Sequence, residues 1–233
     1  NLIRSDQFPS FWAFAQRYSD AWHNRNGWDS IGASHTKELN ERTRDFCIRR
    51  LKSEVLPDLP PKTRTFLPIE LSRTQRIDYD QIAGDWSYQY ENYGDFGGMP
   101  PGFVLNMLTD LRHQCGLMKI GPAAEWVQQY HQSTGKPLVV FCHHRDVLLG
   151  LKQLLNNDDL HCAVISGDVT AKERDRIITA FQAGQIPVLI CNTIAAKEGI
   201  TLTAADTVLF IEREWVPSWE EQAEDRIHRI GQD

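Results

Sequence analysis

The second half of the chain alternates between short apolar runs and segments in which apolar residues recur at helical spacing. Four of the runs have the length of strands: Leu138–Cys142, Cys162–Ile165, Val188–Cys191 and Thr207–Ile211. One intervening helix has a capping sequence, Thr170 followed three residues later by Glu173. Continuous apolar strands that alternate with helices are typical of a parallel sheet with helices on both faces. The pattern predicts an α/β fold, with functional residues at the carboxyl ends of the strands.

The first part of the chain has a mainly helical pattern. Aromatic residues at helical spacing around Phe11 and Trp12 predict a first helix. An aromatic stripe of this kind is usually core or a contact between lobes, and base stacking is the rarer alternative. Residues 38–51 predict a second helix. The paired prolines Pro60 and Pro61 then forbid helix and favour an extended connector.

A helix–loop–helix is predicted between this connector and the α/β part. After a possible strand over Phe66–Leu71, Ser72 and Gln75 form a capping box that opens a helix. The segment Gly94–Gly102 holds four glycines and two prolines, which predicts a loop. Helical spacing resumes over Phe103–Cys115. This region therefore predicts a helical pair outside the sheet.

The end of the chain predicts an amphipathic helix with a basic face. Ser218 and Glu221 match a capping box behind Pro217, and Gly231 is a natural stop. One face of the helix carries polar residues and its neighbour apolar ones: Gln222, Arg226 and Arg229, against Ala223, Ile227 and Ile230. Taken alone, this pattern is that of a surface helix with ion pairs one turn apart.

Composition excludes few classes of protein. At 233 residues, 41% hydrophobic and 24% charged, the chain can bury one or two cores. It has no apolar run of the roughly 18 residues that a membrane span needs, so we expect no membrane partner. Five scattered cysteines favour a reducing compartment. A net charge of −6 does not indicate a nucleic-acid binder, although basic residues are concentrated between Arg42 and Arg64.

The sequence Cys142-His143-His144 invites a metal-site interpretation, which the pattern argues against. Adjacent residues of a strand point to opposite faces, and the chain has no second pair of ligands at metal-binding spacing. We therefore predict no metal site in this chain.

The string Q-A-E-D-R-I-H-R-I-G-Q at residues 222–232 resembles motif six of the Swi/Snf-type DNA translocases, in helicase superfamily two. The resemblance implies a RecA-like parallel sheet with helices on both faces, preceded by a mainly helical junction and protrusion. It also implies catalytic roles for three residues. Arg226 and Arg229 would approach the γ-phosphate of ATP held on a separate lobe, and Gln222 would help to seat the nucleotide.

Other strings extend the resemblance over nearly the whole chain. I-R-R-L-K-S-E-V-L-P-D-L-P-P-K resembles the junction between the two RecA-like lobes, and the helix–loop–helix resembles the protrusion of the second lobe. The implied divisions are 1–67 for the tail of the first lobe and the junction, 68–120 for the protrusion, and 121–233 for the helicase C-terminal domain. The segment F-A-Q-R-Y-S-D-A-W resembles annealing-helicase-type members of the family.

The loops after the predicted strands resemble motifs four, four-a and five of the same family. The resemblance implies contacts with the DNA backbone from His143, His144, Arg145, Ser166, Gly167, Asn192 and Thr193, and with the nucleotide from Gly199 and Asp206. The motif-five segment departs from the common pattern. Ile194 stands where arginine is usual, Ala196 and Lys197 replace a glycine pair, and Thr201 replaces asparagine. These departures bear on the details of DNA contact and coupling.

The sequence contains neither a G-x-x-x-x-G-K-[ST] phosphate loop nor an acidic box for Mg²⁺. The resemblance therefore implies that ATP and Mg²⁺ are held mainly by a first lobe outside this sequence, and that this chain alone is inactive. Since the chain starts at Asn1 and stops one residue after motif six, we expect it to be a fragment.

The expected function is that of the second motor lobe of an ATP-dependent double-stranded-DNA translocase. Its partners would be double-stranded or branched DNA and the first RecA-like lobe of the same protein. It would be cytoplasmic and nucleoid-associated in a bacterium, or nuclear in a eukaryote. The alternative is a stand-alone nucleic-acid-binding or regulatory module that hydrolyses no ATP.

Overall fold

The computed structural model describes residues 5–24, 27–56, 59–93, 99–194 and 200–229. The chain divides into two compact units, residues 1–57 and residues 58–233. The domain boundaries predicted after residues 67 and 120 stay predictions.

The first unit contains short elements only. They are α1 (Phe11–Tyr18), β1 (Trp22–Asn24), β2 (Gly27–Asp29), α2 (Thr36–Thr43) and α3 (Lys52–Val55). The hydroxyl of Ser10 caps α1 by accepting a hydrogen bond from the amide of Ala13 (3.4 Å). The two strands pair antiparallel in a hairpin that the apolar pattern did not predict.

The helix predicted over residues 38–51 is wrong in length, because α2 ends at Thr43. No residue of α2 is buried, and a short helix without a packed face gains little from tertiary contacts. The helix is held instead through Glu38, whose carboxylate accepts hydrogen bonds from Arg17 and Tyr18. These bonds, first from Arg17 and then from Tyr18, lower the pKa of Glu38 to about 2.

The second unit is a parallel sheet with helices before and between its strands. Its elements are α4 (Arg73–Tyr93), α5 (Phe103–Met118), α6 (Ile120–Thr134), β3 (Leu138–Cys142), α7 (Arg145–Asn157), β4 (Cys162–Ile165), α8 (Ala171–Gln182), β5 (Val188–Asn192), β6 (Thr207–Phe210) and α9 (Pro217–Ile227). The strand order is β4-β5-β3-β6, and each neighbouring pair is parallel. The four strands predicted from the apolar runs are confirmed.

Alternate residues of the strands feed two separate hydrophobic clusters. On one face Val140 belongs to a cluster with Val127 of α6 and Leu151 of α7. On the other face Phe141 belongs to a cluster with Phe181 of α8 and with apolar residues of α9. The predicted α/β class, with helices on both faces of a parallel sheet, is therefore confirmed.

The predicted helical pair is present as α4 and α5. The capping box forms as expected, because the amide of Gln75 donates to the Ser72 hydroxyl (3.2 Å) and the amide of Ser72 donates to the Gln75 side chain (3.0 Å). The strand proposed over 66–71 is absent. These residues have no regular secondary structure, and Phe66 is 78% exposed, so its side chain packs on no sheet face. Residues 94–98 of the expected loop lie outside the described residues.

The last helix differs from the expectation at both ends. Pro217 occupies its first position and Val216 is the N-cap, so Ser218 is not the capping residue. The helix ends at Ile227 rather than at Gly231. The amide of His228 still donates to a helical carbonyl (2.9 Å), but the backbone of this residue has left the helical conformation.

Two leucines of α7 provide a test of this packing. Leu151 is fully buried whereas Leu149 is 46% exposed. We expect Leu151→Ala to lower the free energy of unfolding by about 2–5 kcal/mol, since it leaves a cavity in the core. The matched substitution Leu149→Ala should cost less than about 1 kcal/mol. Urea unfolding measures both, and equal losses would contradict the described orientation of α7.

Candidate functional site

The loops that the sequence marked for DNA contact meet at one edge of the sheet. Strands β4, β5 and β3 are neighbours, so their carboxyl ends bring Ser166, Asn192 and His143 to the same edge. The side-chain amide of Asn192 donates to the carbonyl of His143 (2.6 Å), which ties two of these loops together. We call this group of loops the carboxyl edge.

Two buried glutamates hold the paired histidines of the carboxyl edge. The amides of His143 and His144 both donate to Oε2 of Glu212, each at 2.9 Å. The other carboxylate oxygen of Glu212 lies 2.5 Å from Nδ1 of His144, and Glu214 Oε1 lies 2.9 Å from Nδ1 of His143. Both glutamate side chains are at most 1% exposed. The amides at the start of α7 thus lie against a carboxylate, and a negative charge is favourable at the amino end of a helix.

Residues of α5 contact this cluster. The Arg112 guanidinium lies 3.5 Å from Glu214 Oε2, and the ring of His113 lies 4.3 Å from the ring of His144. At Gly116 an added Cβ would lie 2.8 Å from the Glu212 carboxylate, so only glycine allows this approach. Sequence reasoning assigned no role to the two glutamates, because their partners are distant in the chain.

The remaining residues of the carboxyl edge differ in their access to solvent. Arg145 is exposed and forms an ion pair with Asp168 (2.9 Å), and Gly167 is also exposed. Thr193 is fully buried, and its hydroxyl donates to the carbonyl of Cys142 (3.3 Å). Arg145 and Gly167 are therefore available to a ligand at this edge, whereas the Thr193 hydroxyl is engaged within the fold.

The two arginines of the last motif lie at the end of α9. Arg226 is in its final turn, and its carbonyl accepts a hydrogen bond from the amide of Leu202 (2.9 Å). Arg229 follows the helix, and two bonds hold its guanidinium: Nε donates to the carbonyl of Asp225 (2.9 Å), and Nη1 donates to the hydroxyl of Thr201 (2.7 Å). Gln222 is exposed one turn before Arg226. An open groove of about 550 Å³ between α8 and residues 200–201 adjoins Thr201.

Of the two residues expected to contact nucleotide, Asp206 is not brought to this place. Asp206 immediately precedes β6, so it lies at the amino ends of the parallel strands, opposite the carboxyl edge. There it forms an ion pair with Lys136 and accepts hydrogen bonds from Thr207 (2.8 Å) and Tyr130 (3.2 Å). Burial alone would raise the pKa of Asp206, but these bonds lower it overall. Gly199 lies outside the described residues.

A basic pair from the extended connector contacts the acidic residues of α9. The Arg64 guanidinium donates twice to the carboxylate of Glu224 (2.8 and 2.7 Å). The ammonium group of Lys62 donates to Glu224 (3.1 Å) and to Asp225 (2.7 Å). Burial acts to raise the pKa of Glu224, but the hydrogen bonds from Arg64 and Lys62 outweigh it and lower the pKa.

Neither a metal cluster nor a membrane span is found in the part of the chain that the structure describes. Within these residues no group of three or more His, Cys, Asp or Glu side chains is arranged to hold a metal ion. None of the described helices combines the length and the apolar character needed to cross a bilayer.

Comparison with known families identifies the sheet domain. Residues 122–231 match the family described as the helicase conserved C-terminal domain. These residues form a helicase C-terminal domain that is similar to that of Snf2-family helicase-like proteins. The resemblance drawn from the sequence motifs is thereby confirmed.

Two curated relatives match nearly the whole chain. The DNA annealing helicase and endonuclease ZRANB3 of Bos taurus is 32% identical over 231 residues, which are 97% of this chain and 21% of the relative. The SWI/SNF-related matrix-associated actin-dependent regulator of chromatin subfamily A-like protein 1 of Xenopus tropicalis is 31% identical, over 99% of this chain and 24% of the relative. The chain thus spans less than a quarter of the length of these relatives.

A solved structure supports the fold of the helicase C-terminal domain. The Sulfolobus solfataricus SWI2/SNF2 ATPase C-terminal domain superposes with a TM-score of 0.54 at 18% identity, covering 62% of this chain and 69% of that one. This similarity shows the RecA-like fold.

The buried carboxylate of Glu212 gives a stability prediction for the helicase C-terminal domain. Glu212→Ala removes the carboxylate that accepts hydrogen bonds from two amides and from the His144 ring. We therefore expect a loss of about 2–5 kcal/mol in the free energy of unfolding. Glu125→Ala, at an exposed position of α6, is the matched control and should change it by less than about 0.5 kcal/mol. A Glu212→Ala protein as stable as the control would show that the amides do not depend on this carboxylate.

The lowered pKa of Glu224 predicts a pH dependence of stability. The ionised carboxylate stabilises the fold fully above its ordinary pKa of 4.5, and this contribution is lost as the pH falls through the lower pKa of the folded state. The difference in unfolding free energy between the native protein and Glu224→Gln should therefore shrink on acidification. Urea unfolding over a pH series measures the difference, and a constant value would contradict the ion pairing.

Proposed function

We propose that this chain is the second motor lobe of an ATP-dependent double-stranded-DNA translocase, in which Arg226 and Arg229 act as arginine fingers. The observation that carries the proposal is the fixed guanidinium of Arg229 at the end of α9. Its Nε and Nη1 are held by Asp225 and Thr201, while its Nη2 has no hydrogen-bond partner among the described residues. A guanidinium held in this way is preorganised to stabilise charge that develops on a phosphate group.

The donor set at the end of α9 fits the phosphate part of a nucleotide. Guanidinium groups recognise phosphate oxygens through charge-assisted hydrogen bonds, and Arg226 adds a second one in the final helical turn. ATP, when bound, supplies the phosphoryl group whose transfer drives the motor. No cluster of carboxylates for Mg²⁺ accompanies the arginines in the described residues. We therefore assign ATP and Mg²⁺ mainly to the first lobe, and to this chain the arginines and the exposed amide of Gln222.

The carboxyl edge is the proposed contact with the DNA backbone. It combines a solvent-exposed guanidinium at Arg145 with the exposed backbone of Gly167, beside His143 and His144. Contacts of this kind position a protein on phosphates without reading sequence, so binding should weaken steeply as salt rises. Ser166, Asn192 and Thr193 would act mainly through the loops that they shape.

The proposed partners are double-stranded or branched DNA and the first RecA-like lobe of the same protein. The name of the Bos taurus relative describes a DNA annealing helicase, which supports DNA as the substrate of the motor. We place such a motor in the nucleus of a eukaryote, or in association with the bacterial nucleoid.

Replacement of Arg229 tests the arginine-finger role. In a protein that carries both lobes, Arg229→Ala should lower the kcat of DNA-stimulated ATP hydrolysis by on the order of 10³-fold, because charge on the phosphoryl group loses its stabiliser. Arg76→Gln, which removes an exposed arginine of α4, is the control and should leave kcat unchanged. Residues 1–233 alone should give no turnover.

Normal turnover of the Arg229→Ala protein would refute the arginine-finger role. If the native protein bound DNA but hydrolysed no ATP, the stand-alone binding module would be the better description.

A further inference from the structure

An extended segment of the second unit runs along α9 in the opposite direction. We call residues 59–66 the strap. At one end of the strap the carbonyl of Pro60 lies 2.7 Å from Nε2 of His228, just past the end of the helix. At the other end the ring of Phe66 lies under the guanidinium of Arg213, which is bonded to Glu220 in the first turn. The strap therefore follows α9 from its C-cap residue His228 to Arg213, which is bonded to its first turn.

The central contacts of the strap are made to two acidic residues close in sequence to the arginine pair. Lys62 and Arg64 converge on the carboxylate of Glu224, whose side chain is 11% exposed. Glu224 precedes Arg226 by two residues. Lys62 also donates a hydrogen bond to the side chain of Asp225. The backbone carbonyl of Asp225 in turn accepts a hydrogen bond from Nε of Arg229. Each arginine thus lies within a few residues of a group that the strap holds.

These ion pairs fix geometry more than they add stability. The side chains of Arg64 and Lys62 are 60% and 30% exposed, and ion pairs at this exposure typically contribute little to stability. The two hydrogen bonds from Arg64 to Glu224 are nevertheless directional, because a planar guanidinium matches a carboxylate in one orientation. The pair is therefore suited to setting the position of α9.

We propose that Lys62 and Arg64 are positioning residues for the arginine pair, acting through Glu224 and Asp225. The strap is the first described segment after residues 57–58, so it is where the preceding part of the chain continues into this unit. A displacement of the strap would move the end of α9, and with it Arg226 and Arg229. This role rests on the proposed function, in which these arginines act on a phosphate.

The double variant Lys62→Gln, Arg64→Gln tests whether the strap holds α9. In the protein that carries both lobes, we expect faster hydrogen–deuterium exchange at the amides of the last turn of α9, including the amide of His228. Arg76→Gln removes one exposed i,i+4 ion pair on α4 and serves as the matched control. Unchanged exchange at α9 in the double variant would overturn the proposal, whether or not the arginines are catalytic.

A double-mutant cycle tests whether the strap acts through the arginines. The strap variant should lower the kcat of DNA-stimulated ATP hydrolysis about tenfold, because small misplacements of catalytic groups are costly, with little change in the KM for ATP. In an Arg229→Lys background, the same variant should cause little further loss. A merely structural strap would instead lower both proteins by the same factor.

The two measurements separate the possible failures. Faster exchange with a non-additive loss of kcat supports the positioning role. Faster exchange with an additive loss, or with no loss, overturns it while leaving the arginine fingers intact. If Arg229→Ala itself hydrolyses ATP normally, the proposed function fails, and the exchange experiment still decides whether the strap fixes α9.

Discussion

The carboxylate of Glu212 is the interaction on which the arrangement of the carboxyl edge depends. It is buried, and it accepts hydrogen bonds from the amides of His143 and His144 and from the ring of His144. Through these bonds the segment after β6 fixes the loop after β3 and the start of α7. A buried charge is tolerated only when its neighbours supply such donors, so the loop and the carboxylate stabilise each other. Gly116 completes the arrangement by letting α5 approach.

The arginine pair is organised by a different kind of contact. Arg229 is held by one backbone carbonyl and by the hydroxyl of Thr201, and the helix before it is held by the strap. These contacts are partly exposed and charged, whereas the Glu212 carboxylate at the carboxyl edge is buried. In the proposed function the guanidinium groups act on a nucleotide held by another lobe, and such a site needs a defined position that can still shift. Surface ion pairs provide such a position, because they are directional but individually weak.

Local sequence rules succeeded where the deciding contacts are local. The capping box at Ser72 and the N-cap bond from the Glu173 amide to Thr170 form because both partners lie within one turn. The same rule failed at Ser218, because proline at the next position upstream is itself a favoured first residue of a helix and moved the start to Val216. The helix expected over 38–51 is short because its length depended on burial, which the pattern of apolar residues in one segment does not determine.

The sequence by itself determined the class of fold, the four strands of the parallel sheet and the resemblance to a helicase family, since apolar periodicity and contiguous motifs need no knowledge of distant partners. It also marked the loops after β3, β4 and β5, which parallel pairing brings to one edge. Only the tertiary structure decided that Asp206 lies at the opposite edge, that Glu212 holds the histidines, and that Arg64 pairs with Glu224. The pairing of Arg64 with Glu224 joins residues 160 positions apart. No local rule specifies such pairings, because they follow from how the whole chain packs.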